Sequence, residues 1–147
     1  MNNTETLNPS DTRPPRRILR SIGAVLAGLL VVFILSLGTD VVLHATGIYP
    51  PWLQPMAGSL FLIATAYRIV YGVLGSYIAA RLALDRPMQH ALALGVVGLV
   101  LSTAGAVATW NASPELGPRW YPLALIATAL PCAWLGGKLR VMQLRAR

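Results

Sequence analysis

Residues 21–39 read SIGAVLAGLLVVFILSLGT, nineteen positions without a charge. A helix that crosses the hydrocarbon core of a bilayer takes about 20 mostly apolar residues. The run therefore meets the length of one membrane span, and it sets the class of the whole chain. Arg16, Arg17 and Arg20 stand just before it. A basic start followed by an apolar run resembles a secretory signal. The run is too long for most such signals, no A-x-A cleavage site follows it, and the twin arginines lack the rest of an export motif. An uncleaved first spanning helix is the better reading.

Three more apolar blocks follow. One runs over about 58–82 and is interrupted by Arg68. The next runs over about 91–110 with no charge, and the last over about 121–139. Between the first and second blocks lie Pro50, Pro51 and Pro55; between the third and fourth lie Pro114, Gly117 and Pro118. Helices do not cross such turn-forming stretches. The expected fold is all-α, an integral membrane four-helix bundle with helices over about 18–44, 58–84, 89–110 and 120–140. Residues 1–17, with Pro9, Pro14 and Pro15 and no apolar periodicity, read as a disordered cytoplasmic tail. Residues 141–147 read as a basic cytoplasmic tail.

Composition agrees. The 147 residues are 55% hydrophobic and 12% charged, and the mean hydropathy is +0.59. An average soluble domain carries about 25% charged residues. Half that fraction does not cover a soluble globule, which argues against a soluble enzyme, a disordered chain and a secreted disulfide scaffold. Four spans use about 80 residues, which leaves a single membrane domain and no soluble catalytic module. Cys132 is the single cysteine, so an internal disulfide and a CxxC motif are excluded.

The formal net charge of +7 is a topology signal and does not point to nucleic acid. Arg13, Arg16, Arg17, Arg20, Arg81, Arg86, Lys138, Arg140, Arg145 and Arg147 fall on one side of the spans, and Arg119 on the other. Positive charge gathers on the cytoplasmic side, so both termini are expected inside. Tyr49, Trp52, Trp110, Trp120 and Tyr121 gather at the opposite interface, as an aromatic belt does. A docking platform is the alternative use of these rings.

Small residues suggest how the helices meet. Ala91, Gly95, Gly98, Ser102, Gly105 and Thr109 recur at steps of four and three, as do Thr65, Arg68, Gly72, Gly75, Ala79 and Leu82. Small residues let helix backbones approach in lipid. Folding the two blocks about Asp85 matches Ala79 to Ala91, Gly75 to Gly95, Gly72 to Gly98 and Arg68 to Ser102. This seam is expected to be the tightest contact of the fold. Pro131 in the last block frees the carbonyl of Ala127 and invites a kink, and the Thr128 hydroxyl is expected to satisfy it. The kink reads as tolerated, with a hinge as the functional alternative.

Ionisable groups inside a bilayer are costly and mark sites to inspect. Asp40 and Arg68 are the two candidates here. Ser36 and His44 share a helix face with Asp40, and Tyr67, Tyr71 and Thr65 lie near Arg68. Arg68 is long enough to snorkel toward Asp40, where a bidentate pair would neutralise both charges. An intramembrane polar cluster of Asp40, Arg68, His44 and Tyr71, with Tyr67, follows. Its functional reading is an outward-facing site for a polar or ionic ligand or a proton. Its structural reading is an ion pair that fixes the first two helices, with Glu115 as another partner for Arg68. His44 and His90 fall at opposite membrane faces, about 30 Å apart, so no metal site and no cofactor is expected. HExxH, phosphate-binding loops and nucleophile–base pairs are absent, so no catalytic residue is expected. Cys132 reads as a small buried hydrophobe, and His90 beside Arg86 as interfacial.

Ala66-Tyr67-Arg68 with Tyr71-Gly72, Ala80-Arg81-Leu82, Asp85-Arg86-Pro87-Met88, Trp120-Tyr121-Pro122 and Pro131-Cys132-Ala133-Trp134-Leu135-Gly136-Gly137 carry a resemblance. Over most of residues 18–140 the chain resembles small four-helix inner-membrane proteins of bacteria, themselves uncharacterised. The resemblance implies the fold and a bacterial inner membrane, and it brings no activity. Small multidrug exporters also have four helices, but they carry a mid-membrane carboxylate on the first helix and often insert both ways. Asp40 lies too far along, and the charge bias here is too one-sided. The expected role is a non-enzymatic membrane protein acting as an accessory or assembly subunit. The alternative is a small transporter or channel using Asp40 and Arg68. Expected partners are the lipid bilayer and, through glycine-rich faces, a second copy or another membrane protein.

Overall fold

The computed structural model describes residues 14–112 and 117–146, and these are helical throughout apart from the connections. Four helices, α1 (Pro14–Ala45), α2 (Gly58–Leu82), α3 (Pro87–Thr109) and α4 (Trp120–Arg145), follow in order, with a short 3-10 turn at Trp110–Ala112. All four are long and apolar enough to cross a membrane. α1 starts four residues before the expected boundary and α4 runs five residues past it. Proline is tolerated in a first helical turn, where its missing N–H is not needed. Pro14 therefore opens α1, and Pro87 opens α3.

The packing is that of a membrane bundle. Among the described residues the buried apolar side chains are mostly small: Ala24, Ala64, Ala79, Ala80, Ala91, Ala106, Cys132 and Ala133. Large ones such as Leu30, Phe33, Val70, Val100 and Val107 point outward. Lipid tails are as apolar as leucine, so large side chains gain little by turning inward; close backbone approach through small residues holds the helices instead.

The seam expected between α2 and α3 is not the tightest contact. α3 packs most extensively on α4, α2 on α4, and α1 on α2; α2 and α3 touch less, and α1 and α4 do not meet. The helices therefore stand in the ring order α1–α2–α4–α3. α4 explains why. Cys132 and Gly136 lie on one of its faces, and Ala133 and Gly137 lie on the next. A Cβ built on Gly136 would come within 2.5 Å of the Val73 carbonyl oxygen and 2.7 Å of the Tyr77 nitrogen, both on α2. One built on Gly137 would lie 2.9 Å from Ala91 Cβ, on α3. α4 offers a groove to each neighbour and so sits between the two helices that the sequence pairs.

The seam glycines are accordingly divided. Gly72 faces Cys132, Gly75 faces Gly28 and Val32 of α1, and Gly95 faces Ala133. Among the described residues, no side chain or distant backbone lies near where a Cβ on Gly98 or Gly105 would stand. Pro131 lies within an unbroken α4. The Thr128 hydroxyl donates to the carbonyls of Ala124, at 2.7 Å, and Leu125, at 3.3 Å, and not to that of Ala127.

α1 ends at Ala45, and Gly47 just beyond it, with a φ of +75°, lets the chain turn. The Tyr49 N–H then reaches back to the Leu43 carbonyl at 2.9 Å. This drops the Tyr49 ring into the bundle, where its hydroxyl donates to the Leu60 carbonyl at 3.2 Å. The connection 46–57 thus folds over the end of the bundle that is called the loop end below. The short connection around Asp85 marks the opposite, hairpin end.

Candidate functional site

The last turns of α1 and the middle of α2 bring Asp40 and Arg68 together. Arg68 Nη2 donates to Asp40 Oδ2 at 2.7 Å. The Tyr67 hydroxyl donates to Asp40 Oδ1, and Arg68 Nη1 donates to the Tyr67 oxygen at 3.1 Å. The pair is therefore closed into a three-membered ring through Tyr67 and is not the bidentate fork expected. Both carboxylate oxygens are engaged, and the guanidinium and carboxylate charges cancel within one cluster.

Aromatic rings enclose the guanidinium. Its Cζ lies 5.2 Å from the Tyr67 centroid and 5.7 Å from that of Tyr121 on α4. Cation–π attraction at such distances contributes on the order of 0.5–1 kcal/mol each. Tyr121 packs on Phe61, with centroids 5.0 Å apart. Three elements thus hold Arg68: α1 by charge, α2 by its own neighbour Tyr67, and α4 by Tyr121.

The other expected members lie close by but have different partners. His44 Nδ1–H donates to the backbone carbonyl of Asp40 at 2.7 Å. Its ring stacks on Trp52, 3.7 Å away at 4°, and meets Tyr49 edge-on. Tyr71 bonds Thr39 at 2.8 Å, which adds a second polar clasp between α1 and α2. Among the described residues, the buried hydroxyl of Ser36, one turn below Asp40, has no hydrogen-bond partner. Glu115 lies outside the described residues.

Two cavities flank the ion pair. Toward the loop end, a space of about 430 Å³ is lined by His44, Tyr49, Trp52, Phe61 and Tyr121, with Asp40 and Arg68 at its floor. Toward the bundle interior, a cleft of about 390 Å³ has Asp40 and Arg68 at one end and is walled by all four helices, including Ser36, Gly72, Gly98, Thr128 and Cys132. Arg68 and Asp40 keep 24% and 18% of their side-chain surface exposed, so neither is sealed inside protein. The sequence reading missed the parts taken by Tyr121, Trp52 and Tyr49, assigning all three to the lipid interface. The helical spacing of Asp40 and His44 put two polar groups on one face of α1, but nothing in it showed the loop folding back over them.

Among the described residues no three His, Cys, Asp or Glu side chains converge as metal ligands would. His44 and His90 lie at opposite ends of the bundle, in the last turn of α1 and the first turn of α3. The chain matches no protein-family model, no curated protein and no solved structure.

Proposed function

We propose that this chain is a non-enzymatic, multi-pass protein of the bacterial inner membrane, with both termini cytoplasmic, whose working element is a ligand site closed by the Asp40–Arg68 pair. The basic residues at the hairpin end and the two tails support the orientation, and the resemblance of the α2 and α4 strings supports the bacterial membrane. The observation that carries the function is the position of the pair. It forms the shared wall between an outward vestibule and a cleft inside the bundle. An ion pair serving packing alone has no need of a cavity on each side. Releasing Asp40 from Arg68 joins the two spaces, which is the behaviour of a gate. This favours the small-transporter reading.

Cys132 reports on the gate without an added label, since it is the chain's single cysteine and lines the inner cleft. A membrane-impermeant thiol reagent applied from the loop side should label wild-type protein slowly. Asp40→Asn and Arg68→Gln should each raise the rate about tenfold, a change of about 1.4 kcal/mol in access. The reading fails if variants that remain folded and monodisperse label no faster than wild type.

One observation favours the accessory-subunit reading as well. α1 packs broadly on α2 alone, leaving Ile22, Leu26, Leu30 and Phe33 uncovered. A helix of a partner or a second copy would fit there. Cross-linking through cysteines placed at Leu26 and Leu30 would find neighbours if it is occupied.

A further inference from the structure

α1 and α3 meet beside Gly28, where a Cβ would lie 2.8 Å from Leu94. From there toward the loop end the two helices stand apart, and the inner cleft lies between them. Exposed Phe33 and Leu37 of α1 and exposed Leu101 of α3 form its rim. In a bilayer this mouth faces lipid, not water.

The lining is ordered by depth. The charged pair is at the loop end, the partnerless Ser36 hydroxyl is one helical turn deeper, and below it lie Leu29, Val32, Gly98, Leu94 and Cys132. From Asp40 to Leu29 the rise along α1 is about 16 Å, the span of a medium-length acyl chain. A buried hydroxyl without a partner is costly; turned into the cleft, the Ser36 hydroxyl would donate to a carbonyl oxygen placed there. Arg68 and Asp40 together are neutral. A head with a single negative charge meets attraction from one and repulsion from the other. A head with both signs matches both.

Building on the ligand-site reading above, we infer that this cleft takes one acyl chain of a zwitterionic glycerophospholipid from the adjoining leaflet. Its phosphate contacts Arg68, its ammonium contacts Asp40, and an ester carbonyl accepts from Ser36. A guanidinium carries five N–H donors, so a phosphate oxygen can join without displacing Asp40. The lipid enters sideways between α1 and α3.

Gly98 makes the inference testable. It lines the cleft, and among the described residues nothing stands within 4 Å of where its Cβ would be. Gly98→Phe should fill the cleft without moving a helix, while Gly98→Ala serves as the size control. The full chain would be titrated with phosphatidylethanolamine, with phosphatidylglycerol of the same chains, and with the free fatty acid, and bound lipid counted by native mass spectrometry. Wild type and Gly98→Ala should retain one phosphatidylethanolamine, with about tenfold preference over the other two. Gly98→Phe should lose about tenfold in retention, and Ser36→Ala several-fold. Ser102→Leu, on the same wall, replaces Gly98→Phe if that variant does not fold. Equal retention of phosphatidylglycerol overturns the head-group assignment, stronger retention of the fatty acid overturns the lipid class, and undiminished retention by the plugged variant overturns the site. Cys132 labelling is read separately. If Asp40→Asn fails to open the gate while Gly98→Phe still sheds lipid, the gate reading falls and the cleft stands.

Discussion

Gly136→Ala places one methyl group where α2 and α4 are closest. The new Cβ would meet the Val73 carbonyl oxygen at 2.5 Å, the Tyr77 nitrogen at 2.7 Å and Ser76 Cβ at 2.8 Å. Two of these are backbone atoms of a continuous helix and cannot rotate away. Restoring ordinary contact near 3.4 Å means separating the helices by about 0.9 Å. A gap of 0.5–1 Å forfeits roughly a quarter to a half of each van der Waals contact along the interface. With about 0.1–0.2 kcal/mol per atom pair and a few tens of pairs, the loss is about 1–3 kcal/mol, the usual range for overpacking. Gly98→Ala is the contrast. Its Cβ meets nothing within 4 Å, and replacing a mid-helix glycine gains about 0.5–1 kcal/mol. The same gain accrues at Gly136, inside α4, so the two substitutions should differ by the overpacking loss alone, about 1–3 kcal/mol in reversible unfolding in mixed micelles, with Gly136→Ala the less stable. If Gly136→Ala is as stable as Gly98→Ala, the ring order with α4 between α2 and α3 is refuted. The seam between α2 and α3 would then regain its standing.

A double-mutant cycle tests the ion pair. Asp40→Asn and Arg68→Gln should each destabilise by about 2–3 kcal/mol, because each leaves its partner charged inside the bundle, and the double variant should cost less than the sum. Strict additivity in the unfolding free energies would show that the contact carries no energy. Leu53 is fully exposed and held at a φ of +69°, where a side chain clashes with the following carbonyl at a cost of about 1–2 kcal/mol. Leu53→Gly should raise the unfolding midpoint; a fall would show that the leucine is held by the membrane interface.

How much of this was legible in the sequence depends on what kind of pattern encodes it. Long apolar runs bounded by proline and arginine define helix existence, because a bilayer demands length and apolarity whatever the partner. Asp40 and Arg68 were legible because an intramembrane charge requires a counter-charge, and arginine is long enough to snorkel to the level of Asp40. The helix order was not legible. Small residues at steps of three and four mark faces that can approach another helix, but they do not say which one. Gly72, Gly75 and Gly95 all lie at interfaces, each against a helix other than the one their register suggests. The deciding signal was the paired stripe Cys132–Gly136 and Ala133–Gly137, two small-residue faces side by side on α4. The aromatic roof over the ion pair was hidden for a related reason. Tyr49 and Trp52 sit in a connection whose path is set by the turn at Gly47, and an interface belt has the same composition.

Under the proposed gate, α1 is held at two places of different kind. At the hairpin half, Gly28 lies against Gly75 and Ala79 so closely that a Cβ on Gly28 would reach the Gly75 carbonyl at 2.6 Å. At the loop half the hold is polar: Asp40 on Arg68 and Tyr67, and Thr39 on Tyr71. The two holds are twelve residues apart, about 18 Å along the helix. The first is steric and independent of charge. The second is a set of directional bonds that a ligand of matching polarity can loosen by sharing their donors and acceptors. α1 touches neither α4 at all nor α3 broadly, so a pivot about Gly28 is resisted only by its face on α2 and by the loop anchor at Tyr49. Losing the polar hold therefore widens the cleft at its charged end while the glycine contact stays shut. Tyr71→Phe should then accelerate Cys132 labelling less than Asp40→Asn does, because it removes one neutral hydrogen bond, about 1 kcal/mol, and leaves the charge pair in place. If Tyr71→Phe matches or exceeds Asp40→Asn, the closure is a property of the α1–α2 contact as a whole and the charges are not its latch.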